Sequence, residues 1–184
     1  MKTLETIQKT CKVFHTLAKI ASILCIIGAA TLGAGALCAV IQHYGGQVFS
    51  IFGEPIRLFD DGADLPQTYV KLLSGALMLT ADAVLFALSR GYLTTELADG
   101  TPFTESGAEK LKKLGIRFIY IPVIAVALSE LTAALQGVSG TDVIDNAGRL
   151  VTGIVLIFTS LIFRYGAESE SGKAAEENEQ NGNF

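Results

Sequence analysis

The stretch that decides the fold lies at residues 20–41 and reads IASILCIIGAATLGAGALCAVI, 22 residues without a charged side chain. An α-helix needs about 20 apolar residues to cross the roughly 30 Å of hydrocarbon in a bilayer. Lipid cannot hydrogen-bond free backbone N–H and C=O groups, so a segment of this kind must be helical. The stretch therefore predicts a transmembrane helix near the N-terminus.

The composition of the whole chain agrees with a membrane protein. Of its 184 residues 50% are hydrophobic and only 17% are charged, whereas soluble domains carry about 25% charged residues. The formal net charge of -4 gives no electrostatic basis for direct nucleic-acid binding. Composition thus argues against a soluble enzyme, a disordered chain and a nucleic-acid-binding protein.

Three further apolar stretches are candidates for spans. The four predicted spans cover residues about 17–41, 70–89, 116–135 and 145–163. The apolar core of the fourth, 150–163, is short, and Val143, Ile144 and Ala147 extend it. We expect an all-α polytopic membrane protein, a four-transmembrane-helix bundle within residues 1–165. Residues 166–184 are acidic and nearly free of apolar side chains, which predicts a disordered cytoplasmic tail.

The distribution of Lys and Arg predicts the orientation. With the N-terminus inside, 11 of these residues fall on the cytoplasmic side and 3 fall outside, as the positive-inside rule requires. A cleaved signal peptide is disfavoured, because the apolar run exceeds the length of a signal h-region. We expect a multi-pass protein of the inner (cytoplasmic) membrane with both termini in the cytoplasm.

Two carboxylates lie inside predicted spans. Asp82 is about 12 Å from the cytoplasmic boundary and Glu130 about 20 Å, so a direct carboxyl pair is not expected. Small residues around Glu130 are expected to let a neighbouring helix approach, and Pro122 is expected to kink the third span. These small residues are Ala127, Ala133, Ala134 and Gly137. Because intramembrane carboxylates are costly and often functional, three interpretations stay open: helix assembly, ion or proton handling, and ligand sensing.

The outer loop, residues 44–69, contains an apolar run followed by an acidic cluster. The cluster is Asp60, Asp61 and Asp64. Carboxylates are ligands for hard cations, but the spacing matches no calcium loop. We favour a solvated turn that follows a segment resting on the membrane surface.

The inner loop, residues 91–114, is predicted to be a turn followed by a basic helix. Asp99-Gly100-Thr101-Pro102 is typical of a turn, and Thr104 is a candidate helix N-cap. An apolar stripe is expected to hold this helix in place: Ala108, Leu111, Leu114 and Ile116. Lys110, Lys112 and Lys113 lie where anionic headgroups attract them. They form either an ordinary positive collar or a docking surface for a partner.

No cofactor or metal is expected. His15 and His43 lie at opposite ends of one span, which is incompatible with bis-histidine haem ligation. Cys11, Cys25 and Cys38 are too far apart on one helix to bridge one another. We therefore expect no catalytic residue and no enzymatic activity.

One motif suggests a family. The sequence Gly100-Thr101-Pro102-Phe103-Thr104, followed by Leu111-x-x-Leu114-Gly115 between the second and third spans, resembles the bacterial family called domain of unknown function 2975. The resemblance implies a four-span membrane protein without an established activity. It also implies a cytosolic helix-turn-helix regulator as a partner, and it makes Gly100, Pro102 and Phe103 family-typical positions.

The sequence thus favours a non-enzymatic integral membrane protein of regulatory or sensory type. The alternative is a small transporter or channel subunit that uses Asp82 and Glu130. A third hypothesis is an immunity or envelope-stress protein that recognises something at the outer loop. The lipid bilayer is the expected environment, and self-association is left open.

Overall fold

A computed structural model of the protein describes residues 2–45, 49–51, 54–56, 59, 64–99, 105–138 and 147–181. Within them the helices are α1 (Lys2–His43), α2 (Leu65–Asp99), α3 (Glu105–Leu135) and α4 (Ala147–Asn181). Two short strands, β1 (Phe49–Ile51) and β2 (Glu54–Ile56), lie between α1 and α2. The predicted all-α class with four long helices is confirmed.

All four helices are long and apolar enough to cross a membrane. The candidate spans are Gln8–His43, Leu65–Thr95, Ser106–Leu135 and Gly148–Glu168, and each contains an 18-residue segment of high mean hydropathy. Large apolar side chains such as Leu37 and Phe158 are more than 60% exposed, whereas most buried residues are small. Small residues between helices and large apolar residues on the outside are typical of helix packing in lipid. The chain is a multi-pass membrane protein.

The fourth helix differs from the sequence prediction at both ends. It begins at Ala147, and Val143 and Ile144 lie outside the described residues. It continues as a helix to Asn181, where the composition predicted a disordered tail. Residues 166–181 contain five Glu and three Ala, which are strong helix formers. The span supplies the helical nucleus that an isolated peptide would have to form, and an Arg164–Glu168 ion pair of 2.8 Å joins neighbouring turns.

A glycine caps the end of α3, and an aspartate side chain caps the start of α2. Gly137 has a φ of 64° after α3, and the N–H of Val138 donates to the carbonyl of Ala133 at 3.1 Å. This is a Schellman ending, in which glycine takes the left-handed conformation without a Cβ penalty. At the start of α2 the Asp64 carboxylate accepts from the N–H of Gln67 at 3.2 Å. Asp64, one of the three acidic residues of the outer loop, is therefore a helix cap.

The chain divides into two compact units, which we name after their distinctive elements. The hairpin unit contains Ile20–Leu85 and Ile121–Ala147, and the α4 unit contains Met1–Lys19, Phe86–Tyr120 and Gly148–Phe184.

In the hairpin unit, α1 and α3 both pack against α2. The buried cluster contains Ala39 of α1, Tyr69 and Val70 of α2, and Ala133 of α3. In the 18-residue apolar segment of each span, α2 buries the largest share of residues, 28%, and α1 the smallest, 11%. The larger buried share of α2 agrees with its position between two neighbours, α1 and α3.

The strands form a two-stranded antiparallel ladder in which Phe49 pairs with Ile56 and Ile51 with Glu54. The apolar residues of the outer loop predicted a segment resting on the membrane surface here, and their pattern gave no sign of the ladder. Beyond the ladder, the Gln42 side chain of α1 donates to the carbonyl of Phe59 at 2.8 Å and accepts from its N–H at 3.3 Å. These two bonds join the outer loop to the end of α1.

In the α4 unit, α3 packs against α4 at two glycines. A Cβ built on Gly115 would lie 2.9 Å from the carbonyl oxygen of Gly153, and a Cβ on Gly153 would lie 2.9 Å from that of Gly115. The two backbones therefore approach too closely for any larger residue. In the same unit the Arg90 guanidinium of α2 donates to the His15 imidazole of α1 at 3.3 Å.

Candidate functional site

The intramembrane carboxylates belong to the hairpin unit. Asp82 lies on α2 and Glu130 on α3, and both are half-buried. Each already takes part in a hydrogen-bonding or electrostatic interaction. Half-burial in an apolar span with a polar interaction is the situation expected for intramembrane carboxylates.

A buried hydrogen bond between Ser129 and Ser74 sets the register of α3 against α2. The helices are antiparallel. Asp82 is eight residues beyond Ser74 and Glu130 one residue beyond Ser129, in opposite axial directions. At 1.5 Å per residue these offsets separate the two carboxylates by about 13 Å along the helices. This separation is larger than the difference of about 8 Å between the two depths that the sequence predicted.

The face of α3 that packs in the hairpin unit is not the one centred on Glu130. Ser129 and Pro122 are almost completely buried, and Ala125 and Ala133 are buried beside them. Of the small residues predicted around Glu130, only Ala133 is buried; Ala127, Ala134 and Gly137 are exposed. The predicted small-residue stripe is therefore wrong by part of a helical turn, because the buried serine and not the carboxylate lies at its centre.

The basic helix is the first part of α3, in the α4 unit. Its predicted apolar stripe is confirmed for Ala108, Leu111 and Leu114, which are all buried. The prediction is wrong for Ile116, which is 44% exposed. The lysines at 110, 112 and 113 are exposed, so a packed helix presents them to the surroundings.

Two clefts flank this basic helix. Towards α2, a cleft of about 310 Å³ is lined by Lys110, Lys113 and Arg117 opposite Tyr92 and Thr95. We name it the α2–α3 cleft.

The second cleft lies towards α4 and has a volume of about 380 Å³. Lys112 and Glu109 line it opposite Ser160 and Arg164. The three lysines predicted as one basic surface are therefore divided between two sides of the helix. Sequence reasoning missed the division, although the i, i+3, i+7 spacing of Lys110, Lys113 and Arg117 indicates one face.

Several predicted positions lie outside the described residues. They are the family-typical Gly100, Pro102 and Phe103, the turn residue Thr101, the candidate cap Thr104, and Asp60 and Asp61. Within the described part of the chain, no group of three or more His, Cys, Asp and Glu side chains forms a metal site. The cysteines at 11, 25 and 38 lie on α1 and are not joined in disulfides.

No family model, curated protein or solved structure matches this chain. The resemblance to the family called domain of unknown function 2975 therefore stays a prediction.

Proposed function

We propose that the protein is a non-enzymatic regulatory or sensory protein of a bacterial cytoplasmic membrane, with both termini in the cytoplasm. In this proposal the basic helix of α3 docks a cytosolic protein partner, for which the family resemblance suggests a helix-turn-helix regulator. The protein itself does not bind nucleic acid.

The observation that carries the proposal is that the basic helix is packed through buried leucines while its lysines stay exposed. Leu111 and Leu114 are only 4% and 5% exposed, so they hold the helix in place. The side chain of Lys112, between them in sequence, is exposed. A docking surface on a packed helix loses little conformational entropy on binding. Its charge favours an acidic partner and speeds encounter.

Co-purification with the product of the neighbouring gene tests this proposal. The detergent-solubilised wild type should retain that protein, and the triple variant Lys110→Gln, Lys112→Gln, Lys113→Gln should lose it. Lys71→Gln is a matched control, because Lys71 is an exposed lysine on α2 in the hairpin unit. Phe103→Ala tests whether the adjoining motif contributes to retention of the partner. If the wild type retains no partner, or if Lys71→Gln weakens retention as much as the triple variant, the docking proposal is wrong.

A second candidate function is a small transporter or channel subunit. It is favoured by the half-buried carboxylates Asp82 and Glu130 in apolar spans, since such groups often mark ion or proton pathways. Reconstituted vesicles should then show proton or solute flux that Asp82→Asn or Glu130→Gln abolishes. The exposed Glu168→Gln is the control. Equal leak from wild-type and protein-free vesicles would contradict this candidate.

A further inference from the structure

We propose that the α2–α3 cleft binds the phosphate-bearing headgroup of an anionic phospholipid. The proposal concerns a small amphiphile and not a protein. The cleft shares Lys110 and Lys113 with the docking surface proposed above, whereas Gly91 and Arg117 belong to the cleft alone. The proposal rests on the charge, the shape and the chain position of the cleft.

The α3 wall of the cleft is cationic. Lys110, Lys113 and Arg117 line it from successive turns of one helix face. Lys113 is paired at 2.8 Å with Glu109, so the wall keeps an excess of positive charge from Lys110 and Arg117. Arginine offers a planar pair of donors that matches phosphate oxygens, and lysine adds a point charge.

The α2 wall supplies space for a ligand. Tyr92 and Thr95 line it with Gly91 between the helices. A Cβ built on Gly91 would meet nothing within 4 Å, so this position leaves the cleft open. The volume of about 310 Å³ is at the lower end of small-molecule sites. It accommodates a headgroup without the acyl chains.

The position of the cleft favours a lipid over free phosphate. Lys110 and Tyr92 lie just outside the predicted hydrocarbon segments 116–135 and 70–89, and Arg117 lies at the edge of the first of these. The remaining lining is partly apolar and includes Ala87, Leu88 and Leu114. A cleft at the edge of the spans that combines cationic and apolar side chains suits a headgroup whose glycerol and acyl chains continue along the helices.

The sequence provides a matched control for non-specific attraction. Lys112 lies one position from Lys113 and carries the same charge, but it lines the cleft on the α4 side. A general positive collar would respond equally to loss of any of these charges. A headgroup site would respond to Lys110 and Arg117 and not to Lys112.

Native mass spectrometry of the full-length protein in detergent tests the inference, with phosphatidylglycerol, phosphatidylcholine and inorganic phosphate as probes. The wild type should retain one phosphatidylglycerol per chain in preference to phosphatidylcholine. Lys110→Gln and Arg117→Gln should each reduce retention roughly tenfold, as expected for a lost charge-assisted hydrogen bond. Lys112→Gln should retain the lipid like the wild type.

Gly91→Leu removes no charge and fills the cleft, so it should also abolish retention. Because Gly91 faces open space, this variant should elute as a folded, helical protein. Equal losses for Lys110→Gln and Lys112→Gln would overturn the inference in favour of diffuse attraction. Unchanged retention by Gly91→Leu would overturn it as well, and displacement by inorganic phosphate as effective as by lipid would show that the cleft takes free phosphate.

Discussion

The Ser129 hydroxyl of α3 donates to the Ser74 hydroxyl of α2 in the interior of the hairpin unit. Ser129 is 0% exposed and Ser74 5%, so neither hydroxyl can exchange its partner for water. A hydroxyl left unpaired in an apolar surrounding is costly. The pair therefore favours one axial register of α3 against α2.

Ser74→Ala should lower the free energy of unfolding in detergent by about 1 kcal/mol, as for a typical intramembrane hydrogen bond. Ser160→Ala is the matched control. Ser160 is also buried, at 3% exposed, but its hydroxyl donates to the carbonyl of Ile157 in its own helix. The measurement is unfolding by titration with a denaturing detergent. Equal effects of the two substitutions would show that the interhelical bond does not set the register.

The same register predicts that Asp82 and Glu130 act independently. The two carboxylates are about 13 Å apart along the helices, and side chains more than about 7–10 Å apart usually contribute additively. In a double-mutant cycle, the effects of Asp82→Asn and Glu130→Gln on stability should therefore add to within about 0.5 kcal/mol. A coupling of 1 kcal/mol or more would instead indicate one shared polar network.

Sequence patterns predict the helices well and their contacts poorly. Long apolar runs have few alternatives in lipid, so the four helices follow from hydropathy. The buried stripe at Leu111 and Leu114 follows from helical periodicity because that segment is amphipathic. Within the spans every face is apolar, so periodicity cannot distinguish a packed face from a lipid-facing one. For this reason the sequence centred the α3 contact on Glu130 instead of Ser129.

The candidate site shows the same limit. The charge of Lys110, Lys112 and Lys113 is visible in the sequence, but its division between two clefts depends on which helices flank α3.

The end of α4 was mispredicted for a different reason. The scarcity of large apolar residues after Gly166, where the sequence has only Phe184, predicts that the segment does not pack in a core, yet it leaves the intrinsic helix propensity intact.

The close contact between Gly115 and Gly153 predicts that a single added methyl group at either position strongly lowers the stability of the protein. Gly115→Ala or Gly153→Ala would place a Cβ 2.9 Å from a backbone oxygen of the opposite helix. Backbone atoms cannot rotate away as a side chain can. Each substitution should therefore destabilise the protein by about 1–3 kcal/mol, the usual cost of overpacking.

Gly148→Ala is the control for this pair, because it lies on the same helix α4 and its Cβ would meet nothing within 4 Å. Alanine is the better helix former, so this variant should be as stable as the wild type or slightly more stable. Thermal unfolding in one detergent gives the comparison. A Gly153→Ala variant as stable as Gly148→Ala would contradict the close approach of α3 and α4.

The proposed orientation predicts opposite accessibility for two exposed positions. Tyr44, which is 79% exposed after α1, should face the periplasm, and Glu168, exposed on α4, should face the cytoplasm. The native thiols at 11, 25 and 38 are first replaced by serine. In intact cells, a membrane-impermeant maleimide should then label Tyr44→Cys, and it should label Glu168→Cys only after permeabilisation. The cysteine-free parent reports background labelling. Labelling of Glu168→Cys in intact cells would reverse the orientation and move the basic helix to the periplasmic side, where a cytosolic partner could not reach it.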